Sequence, residues 1–217
     1  MGPAELRTHL IKRLKHYGIA TNVLDAMEKV PRELFIPEQQ KPYAYQDTPL
    51  SIEMGQTISA PHMVAIMCNL LEIEEGMTIL EVGTGSGYHA AVMAELTREK
   101  GHVYTIECYE RLAQNAKEKL KRTVYTNITV ITGDGSEGLK EHAPYDRISV
   151  AAAAPEIPQP LIDQLKRGGR MVIPISTRHH QELYLVTKNH KTRIERKGGV
   201  AFVPLTGKYG IESKHEL

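Results

Sequence analysis

Three glycines at alternate positions, Gly83, Gly85 and Gly87, follow a short apolar run in TILEVGTGSGYHAA, residues 78 to 91. Glycines let the chain turn with positive φ and let a ligand approach the main chain, and the amides opening a following helix offer donors and partial positive charge to an anion. A phosphate or carboxylate suits such a loop. Glu107 comes 24 positions after Gly83, where an acid at a strand's end can take both hydroxyls of a ribose, although position alone also fits a surface acid. Asp134, flanked by Gly133 and Gly135, either accepts from an adenine amino group or simply closes an Asp-Gly turn. Ser59, two residues before Pro61, either caps a helix or presents its hydroxyl to a ligand. His62 and Tyr88 can contact ligand or be ordinary packed residues.

The glycine spacing separates two cofactor classes. A dinucleotide fingerprint places its third glycine five positions after the first, and that position here is Tyr88, which disfavours a nicotinamide cofactor. Glycines, a ribose acid and an adenine acid without a pyrophosphate fingerprint suit S-adenosylmethionine, whose methionine carboxylate can meet the loop amides.

Elements that hold these residues are legible from periodicity and punctuation. Leu6, Leu10, Ile11 and Leu14 share one face of a helix over residues 3 to 16, and Val23, Leu24, Met27 and Val30 one over 22 to 30, stopped by Pro31. From Pro31 to Ser59 no period is sustained, and a loop of that length in a compact enzyme is usually functional. A helix resumes at Pro61 to Glu72, and its N-terminus beside Ser59 and His62 is expected to be a second anion-ready site. Strands are expected at Ile79 to Val82, His102 to Cys108, Ile128 to Thr132, Asp146 to Ala152 and Arg170 to Ile175. Helices are expected between them at Ala90 to Leu96, Leu112 to Leu120 and Leu161 to Leu165, the last ended by Gly168 and Gly169. That alternation predicts an α/β fold with a mostly parallel, doubly wound sheet, and Glu182 to Thr187 with Thr192 to Pro204 adds a C-terminal antiparallel hairpin. The expected organisation is one domain, 1-217. Residues 1-75 carry N-terminal helices and an active-site loop, 76-176 the cofactor core, and 177-217 the C-terminal strands and tail.

Over essentially its whole length the chain resembles the protein-L-isoaspartate O-methyltransferase family. The resemblance is carried by GQTISAPHMVA (Gly55 to Ala65), LEVGTGSGYHAAVMA (Leu80 to Ala94), GDGSEGL (Gly133 to Leu139), APYDRI (Ala143 to Ile148) and VPLTG (Val203 to Gly207). Glycine loops occur in methyltransferases at large, whereas QTISAPHM is particular to this family. The resemblance implies a Rossmann-like methyltransferase fold and methyl transfer from S-adenosylmethionine to the free α-carboxylate of L-isoaspartyl residues in damaged peptides and proteins. The ester then collapses through a succinimide. It implies Ser59 as the active-site residue, with Ile58, Gly83, Thr84, Gly85, Ser86, Gly87, Glu107, Asp134 and Gly135 around the cofactor. Ser59, His62, Val203, Leu205 and Thr206 would then meet the substrate, VPLTG closing on it as an edge strand or else simply ending the hairpin. Leu139 stands where the family favours an aromatic residue.

Composition is consistent with an enzyme acting on peptides. The 217 residues are 41% hydrophobic, enough for one good core, and 27 basic against 26 acidic side chains leave a net charge of +1, with no electrostatic case for nucleic acid or an acidic membrane. No run approaches a membrane span and the charged N-terminus is unlike a signal peptide, so a cytoplasmic monomer is expected. Cys68 and Cys108 read as reduced core residues, and ten histidines without Cys/His spacing give no metal site. The KHEL ending reads as chance. Other readings stay open on the residues alone: a methyltransferase for a small molecule or nucleic acid, or a silent adenosine-binding module. The absence of an NPPY motif disfavours DNA, and QTISAPHM disfavours the module, since a pure binder needs no substrate loop.

Overall fold

A computed structural model describes residues 1–211, so the KHEL ending lies outside the described residues. Its centre is a seven-stranded sheet in the order β5-β4-β3-β6-β7-β8-β9, comprising β3 (Thr78–Val82), β4 (His102–Glu107), β5 (Ile128–Thr132), β6 (Tyr145–Val150), β7 (Leu165–Ser176), β8 (Gln181–Lys188) and β9 (Thr192–Val200). The strands from β5 across to β7 pair in parallel, and β8 and β9 extend the sheet as an antiparallel hairpin. The chain reverses between β3 and β4 on one side and β6 on the other, and the crevice at the carboxyl ends of those strands is where ligands of open α/β sheets bind.

Alternation along β3 shows how both faces are covered. Ile79 joins a core with α1 (Pro3–Leu14), α2 (Thr21–Lys29), α3 (Pro61–Leu71), α4 (Tyr88–Thr97) and α5 (Glu110–Leu120), while Leu80 and Val82 join a second core on the other face with α6 (Gln159–Gln164). Glu81 shares the face of Ile79, an acid among apolar residues, and it is wholly buried.

Three expectations are corrected in detail. The helix before β7 stops at Gln164, and Gly168 and Gly169 lie inside a twelve-residue strand that already begins at Leu165. Only Gly169 has its Cβ position blocked, 2.7 Å from the Lys166 carbonyl, so a close backbone approach rather than a helix end accounts for it. The last strand ends at Val200 rather than Pro204, because the chain leaves the hairpin and turns back over the carboxyl end of β6. There Ala153 donates to the Val203 carbonyl at 2.8 Å and Leu205 donates to the Ala153 carbonyl at 2.9 Å. Pro204, without an N–H, suits a single bridge better than a continuing ladder. Cys108 is exposed rather than in the core, unlike buried Cys68, and both are free thiols.

The long stretch from Pro31 to Ser59 is built of 3₁₀ turns and a small antiparallel pair, β1 (Leu50–Ser51) with β2 (Thr57–Ile58). It is tied down from α5, where Lys119 Nζ donates to the Phe35 carbonyl at 3.2 Å and Asn115 bonds Glu53. A Cβ on Gly85 would stand 3.7 Å from Ile52, so this pair lies directly over the glycine loop.

Candidate active site

The main cavity opens at the carboxyl ends of β3, β4 and β6. Its wall takes Ile58 and Ser59 from β2 and its end, Gly83 to Ser86 from the glycine loop, Glu107 to Tyr109, Gly135, and Val203 to Thr206. Gly83, Gly85 and Gly87 have φ of 94°, 51° and 87°, a region that side chains disfavour. The loop's own bonds leave one donor free. Gly83 and Thr84 donate to the Ile106 carbonyl, Gly85 to Glu107, Gly87 to the Thr84 carbonyl and Tyr88 to Ser86 Oγ, but the Ser86 amide finds no acceptor among the described residues.

Glu107 is 5% exposed and closes one side of this wall. Its Oε2 accepts from the Gly85 amide at 2.8 Å and its Oε1 from the Tyr109 amide at 3.1 Å. Oε1 also accepts from Cys108 Sγ at 3.5 Å, so Oε2 is the oxygen that keeps a lone pair for a hydroxyl of a ligand, and the carboxylate is oriented and still available. Gly135 also borders the cavity, and a Cβ there would come 2.7 Å from Val82 Cγ1, so glycine is needed for the loop after β5 to close over β3.

Asp134 is arranged otherwise. Its Oδ1 accepts from the amide and hydroxyl of Ser136 at 2.8 and 2.6 Å, and its Oδ2 accepts from the Lys208 amide at 2.8 Å. These bonds hold its carboxyl below the usual carboxylate range against the opposing effect of burial. The side chain is not part of the cavity wall; it anchors the C-terminal segment, and Gly207 fits against it because any Cβ there would fall 2.0 Å from Oδ1. Gly87 is likewise outside the wall: its Cβ position faces Leu120 and Ala116 of α5, so it serves helix packing.

A second groove adjoins the first. Pro49, Thr57, Ser59, His62, His180, Gln181 and the segment Gly199 to Val203 line it. Ser59, Thr57, Ala151 and Val203 belong to both cavities, so they stand where the two meet. His62 faces only the groove, whereas Leu205 and Thr206 face only the main cavity. Val203 of VPLTG therefore stands at the boundary between the two, beyond the last strand of the hairpin.

Ser59 does not cap α3. The N-cap is Ala60, no side chain caps the helix there, and the Ser59 hydroxyl has no hydrogen-bond partner among the described residues. The expected anion site at this N-terminus is filled from within the protein. Pro61 has no N–H, the amides of Met63 and Val64 donate to the Ala60 carbonyl, and the His62 amide donates to Asp47 Oδ1 at 2.9 Å. Asp47 Oδ1 also accepts from His62 Nδ1 at 2.9 Å, which fixes the imidazole with Nε2 as its free nitrogen. Tyr17 stacks on that ring with centroids 5.5 Å apart.

Three functional neighbours escape a reading of the chain by motif. Glu81 and His89 both line the main cavity, and Asp47 acts through His62. Tyr88 proves to be both core and lining: it is buried, one side bordering the cavity, with the Arg32 guanidinium 5.0 Å from its centroid and Phe35 edge-on at 5.7 Å. Arg32 is itself wholly buried, without a side-chain hydrogen bond among the described residues, and burial lowers its pKa to about 10, which leaves it charged at neutral pH. Among the described residues no group of three or more His, Cys, Asp or Glu is placed to hold a metal ion.

Comparison with known proteins shows which family the chain belongs to. The family model described as protein-L-isoaspartate(D-aspartate) O-methyltransferase matches residues 5–210. The chain belongs to that family. A relative from Methanothrix thermoacetophila, a protein-L-isoaspartate O-methyltransferase, is 57% identical over 95% of this chain and 97% of its own length. One from Methanococcoides burtonii is 58% identical over 93% of this chain and 100% of its own. A solved protein-L-isoaspartate O-methyltransferase superposes with a TM-score of 0.88 at 32% identity, covering 94% of this chain and 67% of that one. A Plasmodium falciparum β-aspartate methyltransferase solved in complex with S-adenosyl-L-homocysteine superposes with a TM-score of 0.81 at 32% identity, covering 91% and 97%. Family membership brings the activity, methyl transfer to isoaspartyl peptides and proteins, and the cofactor, S-adenosylmethionine.

The residues present fit that cofactor. Positive-φ glycines leave the loop backbone open, Glu107 keeps acceptor capacity for ribose hydroxyls, the Ser86 amide is free for an anion, and Glu81 Oε1 is a buried acceptor without a partner.

Proposed function

We propose that methyl transfer takes place where the two cavities meet, with the isoaspartyl α-carboxylate in the groove and Ser59 orienting it. The observation that carries this is the Ser59 hydroxyl itself, which borders both cavities, caps no helix and has no partner among the described residues. Ile58, Gly83, Thr84, Gly85, Ser86, Glu107 and Gly135 hold the cofactor, joined by Leu205 and Thr206 from the C-terminal segment. Bound there, S-adenosylmethionine supplies an electrophilic methyl group on a sulfonium.

The protein's part is mostly positioning. An α-carboxylate has a pKa near ~3.5 and is ionised at neutral pH, so no general base is required to create the nucleophile. Ser59 donates to one carboxylate oxygen and leaves the other free, while Asp47 holds His62 against the same groove with Nε2 as an acceptor for a substrate N–H. The β1–β2 pair and residues 203 to 206 cover the junction, excluding the water that stabilises separated charges. Gly199 to Val203 line the groove with small and apolar residues and no charged side chain, a wall that many peptide sequences can share.

We read residues 1-217 as one methyltransferase domain working as a monomer in the cytoplasm. The net charge of +1 supports a peptide partner over nucleic acid or membrane, and among the described residues no helix is long and apolar enough to cross a membrane.

The test is Ser59→Ala. Turnover with an isoaspartyl peptide is expected to fall about 10- to 100-fold, the range for losing one positioned donor, with cofactor affinity unchanged. Undiminished turnover would remove Ser59 from the mechanism.

A further inference from the structure

Beneath the glycine loop lies a polar group that carboxylate methylation as derived above leaves idle. Glu81 is wholly buried and lines the cofactor cavity. Its register partners are Thr105 on β4 and Ser149 on β6, so the three side chains share one face of the sheet. The Thr105 hydroxyl donates to Oε2 at 2.5 Å, and the Thr84 hydroxyl lies 2.7 Å from that of Thr105. Among the described residues Oε1 has no hydrogen-bond donor, and the Ser149 hydroxyl has no partner either.

His89, the second residue of α4, completes the arrangement. Its Nδ1 stands 3.5 Å from Glu81 Oε1, within ion-pair range but not aligned as a hydrogen bond, and its Nε2 is 3.3 Å from Cys68 Sγ on α3. Burial raises the Cys68 thiol pKa, so Cys68 keeps its proton and can donate to Nε2, leaving the ring proton on Nδ1, toward Oε1.

Among the described residues no Lys or Arg stands against the carboxyl. The groups that face it are His89 from α4, Cys68 from α3, the hydroxyls of Thr105 and Ser149, and Glu107 at the end of β4, whose charge repels a second one. Arg147, two residues before Ser149 on β6, turns its guanidinium instead to the carbonyls of Leu71 and Glu72. Burial, with Glu107 adding to it, raises the Glu81 carboxyl to about 8 against the opposing Thr105 bond, and burial lowers His89 to about 4. At neutral pH this is a protonated acid beside a neutral imidazole.

We propose that Glu81 discriminates the cationic cofactor from its neutral product by charge: it is a neutral acid in the empty and product-bound protein and gives its proton to solvent when S-adenosylmethionine enters. The proposal rests on the cofactor reading of this cavity. The O–H bond of the carboxyl breaks, the electron pair stays on oxygen, and the proton passes to buffer. The two idle donors, Ser149 Oγ–H and His89 Nδ1–H, are placed to serve the new carboxylate. Methyl transfer then removes the sulfonium charge and leaves the carboxylate without its counter-charge. Glu81 takes a proton back, and the pocket returns to the neutral form it has when empty.

The experiment is calorimetric titration of the full chain with S-adenosylmethionine and, separately, S-adenosylhomocysteine at pH 7, each in two buffers of different ionisation enthalpy. About one proton is expected to leave per S-adenosylmethionine bound and almost none per S-adenosylhomocysteine. Wild-type affinity for S-adenosylmethionine should rise by up to about tenfold per pH unit below pH 8. Glu81→Gln should bind both ligands with no proton release and no such pH dependence. Equal proton release for the two ligands, none for either, or wild-type release from Glu81→Gln overturns the proposal. The wild-type comparison of the two ligands decides the matter even if the variant does not fold. Binding without differential release overturns this proposal alone; binding of neither ligand overturns the cofactor reading as well.

Discussion

Replacing Asp47 by alanine tests whether the groove is shaped by a side chain far from any motif. Asp47 Oδ1 accepts both the His62 amide and His62 Nδ1 at 2.9 Å, and its side chain is only 8% exposed. The amide bond does the work of a helix cap, for which loss costs about 0.5–2 kcal/mol. The imidazole bond is charge-assisted, but the His62 side chain is 31% exposed, so water replaces much of what is lost. Together these give a destabilisation of about 2–3 kcal/mol, or roughly 4–12 °C in Tm for a domain of this size. Freed from Asp47, the ring no longer points a defined nitrogen into the groove, so KM for an isoaspartyl peptide should rise several-fold while cofactor affinity holds. Thermal melts, peptide kinetics and cofactor titration on Asp47→Ala and Asp47→Asn separate the parts, because asparagine keeps an acceptor for the amide and should recover about half of the stability. An alanine variant with wild-type Tm and wild-type KM refutes the reasoning.

Two other substitutions give distinct signatures. Gly207 has φ of +121° and its Cβ position lies 2.0 Å from Asp134 Oδ1, so Gly207→Ala should strain the backbone by about 1–3 kcal/mol and pull Leu205 and Thr206 from the cavity wall. Calorimetry should show cofactor affinity reduced about tenfold or more, and unchanged affinity would separate Asp134 from the site altogether. Glu81 is raised from 4.5 to about 8 and His89 lowered from 6.5 to about 4, so on folding the first gains a proton where the second loses one. Between about pH 4.5 and 6.5 the two oppose each other. From 6.5 to 8 only Glu81 acts: the folded state holds the extra proton, and stability of the ligand-free protein falls as pH rises, by on the order of 1–2 kcal/mol. Denaturant titrations across that window should show this decline in the wild type and its absence in Glu81→Gln; a parallel decline in both contradicts the assignment.

What the chain discloses in one dimension is what depends on local chemistry. Alternating glycines after an apolar strand, Glu107 at the next strand's end and Ser59 ahead of Pro61 are local patterns, and the structure brings Gly83, Gly85, Glu107 and Ser59 to one crevice. Asp134 has a job that its motif does not disclose, because its partners are not all local: the Lys208 amide arrives from 74 residues away and makes the same acid an anchor for the C-terminal segment. Asp47 and the N-terminus of α3 fail for the same reason, since the amide expected to await an anion is met by an acid 15 residues earlier, in a stretch without period. Glu81 did carry a signal. An acid inside the run Ile79 to Val82 is rarely tolerated without purpose, since burying a carboxylate is costly and burying a carboxyl is less so. The boundary of β7 was hidden by Gly168 and Gly169, which read as a helix stop when close approach of the Lys166 carbonyl to Gly169 is the physical cause.

The central claim is that the two cavities join a sulfonium cofactor to an isoaspartyl carboxylate at Ser59. The most direct measurement is methyl transfer from labelled S-adenosylmethionine to two short peptides, identical except that one contains L-isoaspartate and the other L-aspartate, with wild-type protein and Ser59→Ala side by side. Base-labile label on the isoaspartyl peptide alone, largely lost in the variant, is the result the account predicts. Equal label on both peptides, or none on either with cofactor binding intact, contradicts it.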